Sequence, residues 1–344
     1  MSDEILSLIY TFSKKFSDPS TKLPFSKENN NISAIVKDGN ANIFLEVNNN
    51  DISSYKDILK LLKSSIQQIP GVLSVNIALT SNKAQKKQEK KFRIDAQNII
   101  AIASGKGGVG KSTFAVNISV GLKSLGFKVG LLDADIYGPS IPRMMGVSKK
   151  PEMNESKKLV PLISHGVKCM SIGFIIDNEA PTIWRGPMVM KALEQMFNGV
   201  EWGELDFLII DLPPGTGDAQ LTLAQSSKLS GSIVISTPQD VALTDAKKGI
   251  NMFKKVNVPI LGMVENMSYF ICDKCDEKHY IFSTDGVRKE ADKLNIRFLG
   301  EIPIDKTLRK QSDEGTPSIV DNPNENIPNI FISIAKMINE ITAD

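Results

Sequence analysis

The chain has 344 residues, a net charge of +2, 41% apolar and 23% charged residues, and three cysteines. That length suits one large and one small domain, and the balance is that of a soluble globular protein. It excludes a disulfide-stapled scaffold, and with no run of about 18 apolar residues it excludes a bilayer-spanning segment. A charge this near zero favours neither nucleic acid nor membrane as partner.

The acidic opening Met1-Ser2-Asp3-Glu4 lacks the basic and apolar regions of a signal peptide, so a cytoplasmic location is expected. Residues 1–80 read as a separate small α+β domain. Ile5, Leu8, Ile9, Phe12 and Phe16 predict a helix over 4–16, ended by Asp18-Pro19. Strands are predicted over 32–36 and 41–47, turning at Asp38-Gly39-Asn40. A second amphipathic helix over 52–69 stops at Pro70-Gly71, and 72–80 alternates as a strand. The predicted order is αββαβ, without a histidine or cysteine to carry chemistry. Residues 81–97 follow as a basic linker with Lys83, Lys86, Lys87, Lys90, Lys91 and Arg93. Such a run can touch RNA or anionic lipid, but a solvated connector is the simpler reading.

From residue 98 to 344, apolar strand candidates at 99–103, 128–132, 207–210, 232–236, 260–264 and 298–302 alternate with helical stretches. This predicts an α/β fold with a mostly parallel sheet covered by helices on both faces. The last helix, over 329–341, carries an apolar stripe without a basic polar face, so it is expected to pack on the sheet rather than lie on a membrane.

The first of these strands runs into Gly105-Lys106-Gly107-Gly108-Val109-Gly110-Lys111-Ser112, followed by Thr113 and a helix over 113–125. Strand, glycine loop and helix in that order form a phosphate-binding P-loop. The glycines let backbone N–H groups turn in around phosphate oxygens at a helix N-terminus. Lys111 is expected on the β- and γ-phosphates of ATP, and Ser112 on Mg²⁺. Asp133 and Asp135 stand at the carboxyl end of the second strand, where two carboxylates suit Mg²⁺ and the attacking water. An N-cap and a solvent-facing acid are the plain alternative. Phe207-Leu208-Ile209-Ile210-Asp211 is a Walker B pattern with Asp211 toward Mg²⁺, and Pro213-Pro214-Gly215-Thr216-Gly217 reads as a nucleotide-sensitive loop.

Cys272-Asp273-Lys274-Cys275 is the feature an ordinary NTPase lacks. Two thiolates at this spacing supply half a ligand set for a soft metal centre. Cys169 and His279 can complete the set within one chain, and a two-fold dimer can complete it with a second pair. A pair of reduced structural cysteines and half of a zinc clasp stay open as alternatives. Cys169, inside an apolar strand, reads as core.

These stretches, with Leu132-Asp133-Ala134-Asp135-Ile136-Tyr137-Gly138-Pro139-Ser140-Ile141-Pro142 and Glu265-Asn266-Met267-Ser268-Tyr269-Phe270-Ile271-Cys272, resemble the Mrp-type (ApbC) iron–sulfur cluster carrier ATPases. Those are deviant-Walker P-loop proteins, a class shared with MinD and ParA. Residues 1–80 resemble, more weakly, the small MIP18-type domain, with Asn48-Asn49-Asn50 where some relatives place a cysteine. The resemblance implies a slow ATP hydrolase and homodimer that carries a [4Fe–4S] cluster to apo-proteins, with cluster scaffold proteins as further partners. It further implies that Lys106 reaches the partner's nucleotide, Asp135 orients water, Asn266 meets adenine, and Cys272 and Cys275 hold the cluster between subunits. A MinD- or ParA-like positioning ATPase acting on membrane or DNA is the competing reading. Asp273, where many relatives have proline, loosens the turn without removing a ligand.

Overall fold

The computed structural model describes residues 2–19, 21–29, 31–37, 39–47, 54–80, 94–175, 184, 186–321 and 325–343. The basic stretch 81–93 and the Asn-rich stretch 48–50 lie outside them. The chain divides into two compact units, Met1–Lys90 and Lys91–Asp344.

The first unit contains α1 (Ser2–Ser13), β1 (Ile32–Lys37), β2 (Asn40–Glu46), α2 (Lys56–Gln67) and β3 (Ser74–Thr80). That is the αββαβ order the turn signals imply. β1 runs antiparallel to β2, with Val36 opposite Ala41 across a tight turn at Gly39, and β2 runs parallel to β3. Period-two alternation buries Ala41, Ile43 and Leu45 on one face of β2, where Ile9, Leu62 and Ile66 of the helices complete a core. Tyr55 is fully buried there and its hydroxyl donates to Asp18 at 2.6 Å.

The second unit opens with β4 (Ala96–Ser104), α3 (Lys111–Ser124), β5 (Val129–Asp133), α4 (Ile141–Met144), β6 (Leu162–Ser164), β7 (Val167–Ser171), α5 (Gly186–Asn198) and β8 (Leu205–Asp211). It continues through α6 (Asp218–Ser226), β9 (Gly231–Ser236), α7 (Asp240–Lys255), β10 (Ile260–Ile271), β11 (Lys278–His279) and α8 (Gly286–Leu294). The chain closes with β12 (Phe298–Ile304), α9 (Lys306–Glu314), α10 (Ser318–Asp321) and α11 (Asn326–Ala343). The strands form a nine-stranded sheet in the order β11-β10-β9-β4-β8-β5-β7-β6, with β12 also on β10. All its pairings are parallel except β6 on β7 and β11 on β10, which close the edges.

β4 is central and its last six residues are all buried, as a strand covered on both faces must be. α3 is apolar around most of its circumference, with Phe114 through Leu122 buried, because the sheet lies on one side and α11 on the other. α11 buries Phe331, Ile334, Ala335 and Ile338 in this core, so its apolar stripe is spent inside the protein. No helix among the described residues is long and apolar enough to cross a membrane.

One strand departs from the expected length. β10 runs seven residues past Val264, because its polar residues are satisfied rather than exposed. Glu265 accepts from Val287 N at 2.8 Å, Asn266 donates to Val109 O at 2.8 Å and Ser268 donates to Ile302 O at 3.0 Å. An apolar-run criterion stops at the first of these; the hydrogen bonds carry the strand onward.

Candidate functional site

The parallel strands bring the loops that follow β4, β5, β8, β9 and β10 to one edge of the sheet, the carboxyl edge where open α/β folds bind ligands. β4 delivers the P-loop, and α3 begins at Lys111 with Gly110 in the left-handed region at φ 84°. A Cβ on Gly110 would sit 2.1 Å from Asn266 Nδ2, and one on Gly105 would sit 2.2 Å from the backbone of Asp245. Close packing therefore dictates both glycines, and at Gly110 the left-handed backbone does so as well. Asn266 is buried and braces the loop from β10.

Lys111 and Asp211 form a buried pair, Nζ to Oδ1 at 2.5 Å, with side chains 6% and 0% exposed. Ser112 Oγ donates to the other carboxylate oxygen of Asp211 at 2.5 Å. Asp135 lies 3.9 Å from Lys111 Nζ and keeps 14% of its side chain exposed. Burial raises its carboxyl above the usual range, opposed by the Lys111 ammonium and assisted by Asp211. A hydroxyl and a carboxylate in contact at a helix start form an oxygen donor pair that fits Mg²⁺, and the free face of Lys111 fits phosphate.

The two acids after β5 separate in role. Asp133 is fully buried. It accepts from Ser171 Oγ at 2.9 Å, Ile141 N at 3.2 Å and Asp135 N at 3.2 Å, so it fastens the loop carrying Asp135 to β7 and α4. Asp133 thus fits the plain alternative of an acid that caps a helix start, accepting from the first residue of α4, while Asp135 keeps part of its side chain exposed. Burial first, and then the Asp211 carboxylate, push Asp133 up to about 7 from 3.8. The folded state then holds a proton that the unfolded chain has released. Stability from this group is complete below 3.8 and is lost as pH rises through about 7. We expect urea-unfolding free energies to fall across that interval in the wild type and to flatten in Asp133→Asn; parallel pH profiles would refute the assignment.

Lys106 Nζ donates at 3.3 Å to Gln239 Oε1, which also accepts from Thr237 Oγ1. The loop from Pro213 to Gly217 is tied back beside the P-loop, Gly215 N donating to Ser104 O at 3.0 Å. Asp135, Pro213, Pro214, Val189 and Met190 line a cavity of about 710 Å³ next to it. Ser171 and Gln239 carried no signal in the sequence, since each partners a residue 38 or 133 positions away.

The cysteine pair sits at the tip of the hairpin between β10 and β11. Cys272 N donates to Glu277 O and Asp276 N to Cys272 O, both at 3.0 Å. Asp276 turns the chain at φ 57°, and Lys306 forms an ion pair with Asp273. Backbone N–H groups of Lys274 and Cys275, followed by the Cys275 thiol, lower the pKa of the Cys272 thiol. The ligand atoms of Cys272, Cys275 and His279 lie within 4.8 Å of one another. A second cavity, about 560 Å³, opens beside Phe270, Cys272, Asp273 and Lys306. Cys169 is not part of this group. It lies on β7, separated from β10 by four intervening strands, fully buried, and burial pushes its thiol up to about 12. Iodoacetamide at pH 8 on the reduced native protein is expected to label Cys272 and Cys275 and spare Cys169. A third label appearing at a similar rate in the peptide map would contradict that burial.

Comparison with known proteins agrees with this geometry. The model of the ParA family, described as NUBPL iron-transfer P-loop NTPase, matches residues 95–339. The iron–sulfur protein required for NADH dehydrogenase, mitochondrial, of Arabidopsis thaliana is 52% identical over 243 residues, 70% of this chain and 78% of that one. The iron–sulfur cluster carrier protein of Aquifex aeolicus is 49% identical over 247 residues, 71% of this chain and 68% of that one. Among solved structures, a nucleotide-binding protein of Archaeoglobus fulgidus in complex with ADP, with cobalt found in it, is 40% identical. It covers 68% of this chain and 93% of that one with a TM-score of 0.59.

Proposed function

This chain belongs to the ParA family of NUBPL iron-transfer P-loop NTPases, and we propose that it is an ATP-hydrolysing homodimer that carries a [4Fe–4S] cluster to apo-proteins. One observation carries the reading: a P-loop with its Lys111–Asp211–Ser112 cluster and an exposed cysteine hairpin share one edge of one sheet. The names of the Aquifex and Arabidopsis relatives support the iron–sulfur cargo, and the ADP complex of the Archaeoglobus relative supports the nucleotide.

In this reading the backbone of Gly105, Gly107, Gly108, Val109 and Gly110 wraps the phosphates, and Thr113 completes the loop's contacts. Ser112 and Asp211 would hold Mg²⁺, which would supply positive charge against the phosphates. Lys111 then turns from Asp211 toward phosphate, which exchanges one anion for another at little electrostatic cost. Asp135 orients the attacking water and takes up its proton. Asn266, while bracing the loop, borders the nucleotide base. Cys272 and Cys275 of two protomers supply four thiolates to the cluster, which leaves with the recipient. Free thiols at this site fit a reducing compartment, and the cytoplasm is our assignment; the Arabidopsis relative's name makes the mitochondrion its rival.

Anaerobic reconstitution with iron and sulfide tests the cargo. The wild type is expected to gain brown charge-transfer absorbance with iron and sulfide in equal amounts, and to activate an apo-protein that needs a [4Fe–4S] cluster. If Cys272→Ala and Cys275→Ala together leave iron and absorbance unchanged, the carrier reading fails. ATP-dependent sedimentation with anionic liposomes or DNA, indifferent to those substitutions, would favour a MinD-like positioning ATPase instead. For Lys106, which must leave Gln239 to reach a partner's nucleotide, Lys106→Gln is expected to bind ATP within a few-fold of wild type. Its hydrolysis should fall by roughly 100-fold or more, the scale for losing one transition-state charge donor. Near-normal turnover would place its action within one chain.

A further inference from the structure

We propose that a single protomer holds one soft divalent cation by itself, through Cys272 Sγ, Cys275 Sγ and a ring nitrogen of His279, with the fourth tetrahedral position open. The inference rests on the reading of this hairpin as the metal-handling end of the protein, but it adds a ligand and a state that the two-cysteine, two-protomer site does not need.

The geometry of β11 carries it. Lys278 Nζ lies 4.1 Å over the Tyr269 ring, and the Tyr280 ring meets the same Tyr269 edge-on at 6.4 Å. Lys278 and Tyr280 thus meet the same ring from one side of the chain, and His279 between them is turned to the other. On that face it stands opposite Phe270 in the ladder, next to the turn that carries both thiols. All three ligand atoms fall within 4.8 Å of each other with no rearrangement of the hairpin. Small rotamer adjustments bring such a group to the roughly 2.0–2.3 Å bonds of a Cys₂His zinc-type site.

The donor set selects the ion. Two thiolates and a neutral imidazole exclude Mg²⁺ and Ca²⁺ and suit Zn²⁺, Fe²⁺ or Co²⁺. The two thiols lose their protons to solvent on binding, and a dication then leaves the site neutral. Neighbouring acids do not compete for the ion on equal terms: Asp273 is held by Lys306, and carboxylate oxygens are the harder ligands. Three protein ligands make an open site, and the whole group is solvent-facing, with Cys275 and His279 exposed. An ion held this way can accept sulfide or a recipient's thiolate at its fourth position. The protomer is thereby able to take up metal before two chains meet.

Anaerobic titration of the full-length reduced chain with Co²⁺, without nucleotide, tests the proposal. Expected are about one Co²⁺ per chain, thiolate-to-cobalt charge-transfer bands and tetrahedral ligand-field bands. His279→Ala should weaken affinity by about 10-fold or more, at least the loss reported for removing a ligand's supporting partner. His279→Cys, which returns a soft ligand, should recover it. Saturation at half an equivalent per chain overturns the proposal, because it signals four thiolates shared across a dimer. So does an unchanged affinity and spectrum in His279→Ala. Iron–sulfide reconstitution of the same proteins separates the two readings. A cluster that forms while cobalt ignores His279 leaves the carrier standing and this site refuted. One-per-chain cobalt binding that depends on His279, with no cluster formed, supports this site and removes the carrier.

Discussion

Lys111→Met is expected to abolish ATP binding and to lower the unfolding free energy of the nucleotide-free protein by about 3–5 kcal/mol, the range for stripping one partner from a buried ion pair. The size follows from where the charge sits. Asp211 has no exposed side-chain surface, Lys111 is 2.5 Å away, and Asp133 lies on the neighbouring strand at the register position paired with Asp211. Removing the ammonium leaves two buried carboxyl groups side by side and a third, Asp135, close by. The double variant Lys111→Met/Asp211→Asn should recover much of the stability and none of the nucleotide affinity. Urea unfolding with a fluorescent-nucleotide titration reads both. A single variant within about 0.5 kcal/mol of wild type, the scatter of ordinary surface changes, would mean that water already screens the pair.

Asp135→Asn should act on rate alone. Its carboxylate is the acid that faces the site, raised by burial and balanced by Lys111, and asparagine keeps its shape without its basicity. Loss of a positioned general base is worth about 10²–10⁴-fold, so kcat should fall by that factor while KM moves little. The pH profile supplies a second check. With the carboxyl raised, the active ionised form grows as pH rises, so wild-type hydrolysis should climb on its acidic limb and the variant's should be flat. A variant that loses affinity instead of rate would make Asp135 a phosphate- or magnesium-side residue.

The parts of the site readable in the sequence are those made of consecutive residues. The octet at 105–112, Asp135, Asp211 and the cysteine pair each announce themselves by local spacing, and alternating strands and helices place them at one edge. What spacing cannot show is which side chain is enclosed. Asp133 and Asp135 look equivalent in the chain, yet a tight turn sends the first into the protein under Ser171 and the second outward. Gln239 under Lys106 is likewise a product of the strand order, and Asn266, marked by its motif for the base, turns out also to bond Val109 of the loop. In the small unit the αββαβ order was legible because glycine, proline and asparagine punctuate it. The Tyr55–Asp18 contact, 37 residues apart, was not.

β10 has a further consequence. Its Asn266 bonds the P-loop at Val109, and the same strand ends at Ile271, one residue before Cys272. If ATP at the P-loop and a metal at the cysteines are coupled through this strand, the coupling is reciprocal: whatever factor ATP applies to metal affinity, metal must return to ATP affinity. The cargo would then report on fuel as faithfully as fuel acts on cargo, and an empty carrier would hold nucleotide differently from a loaded one.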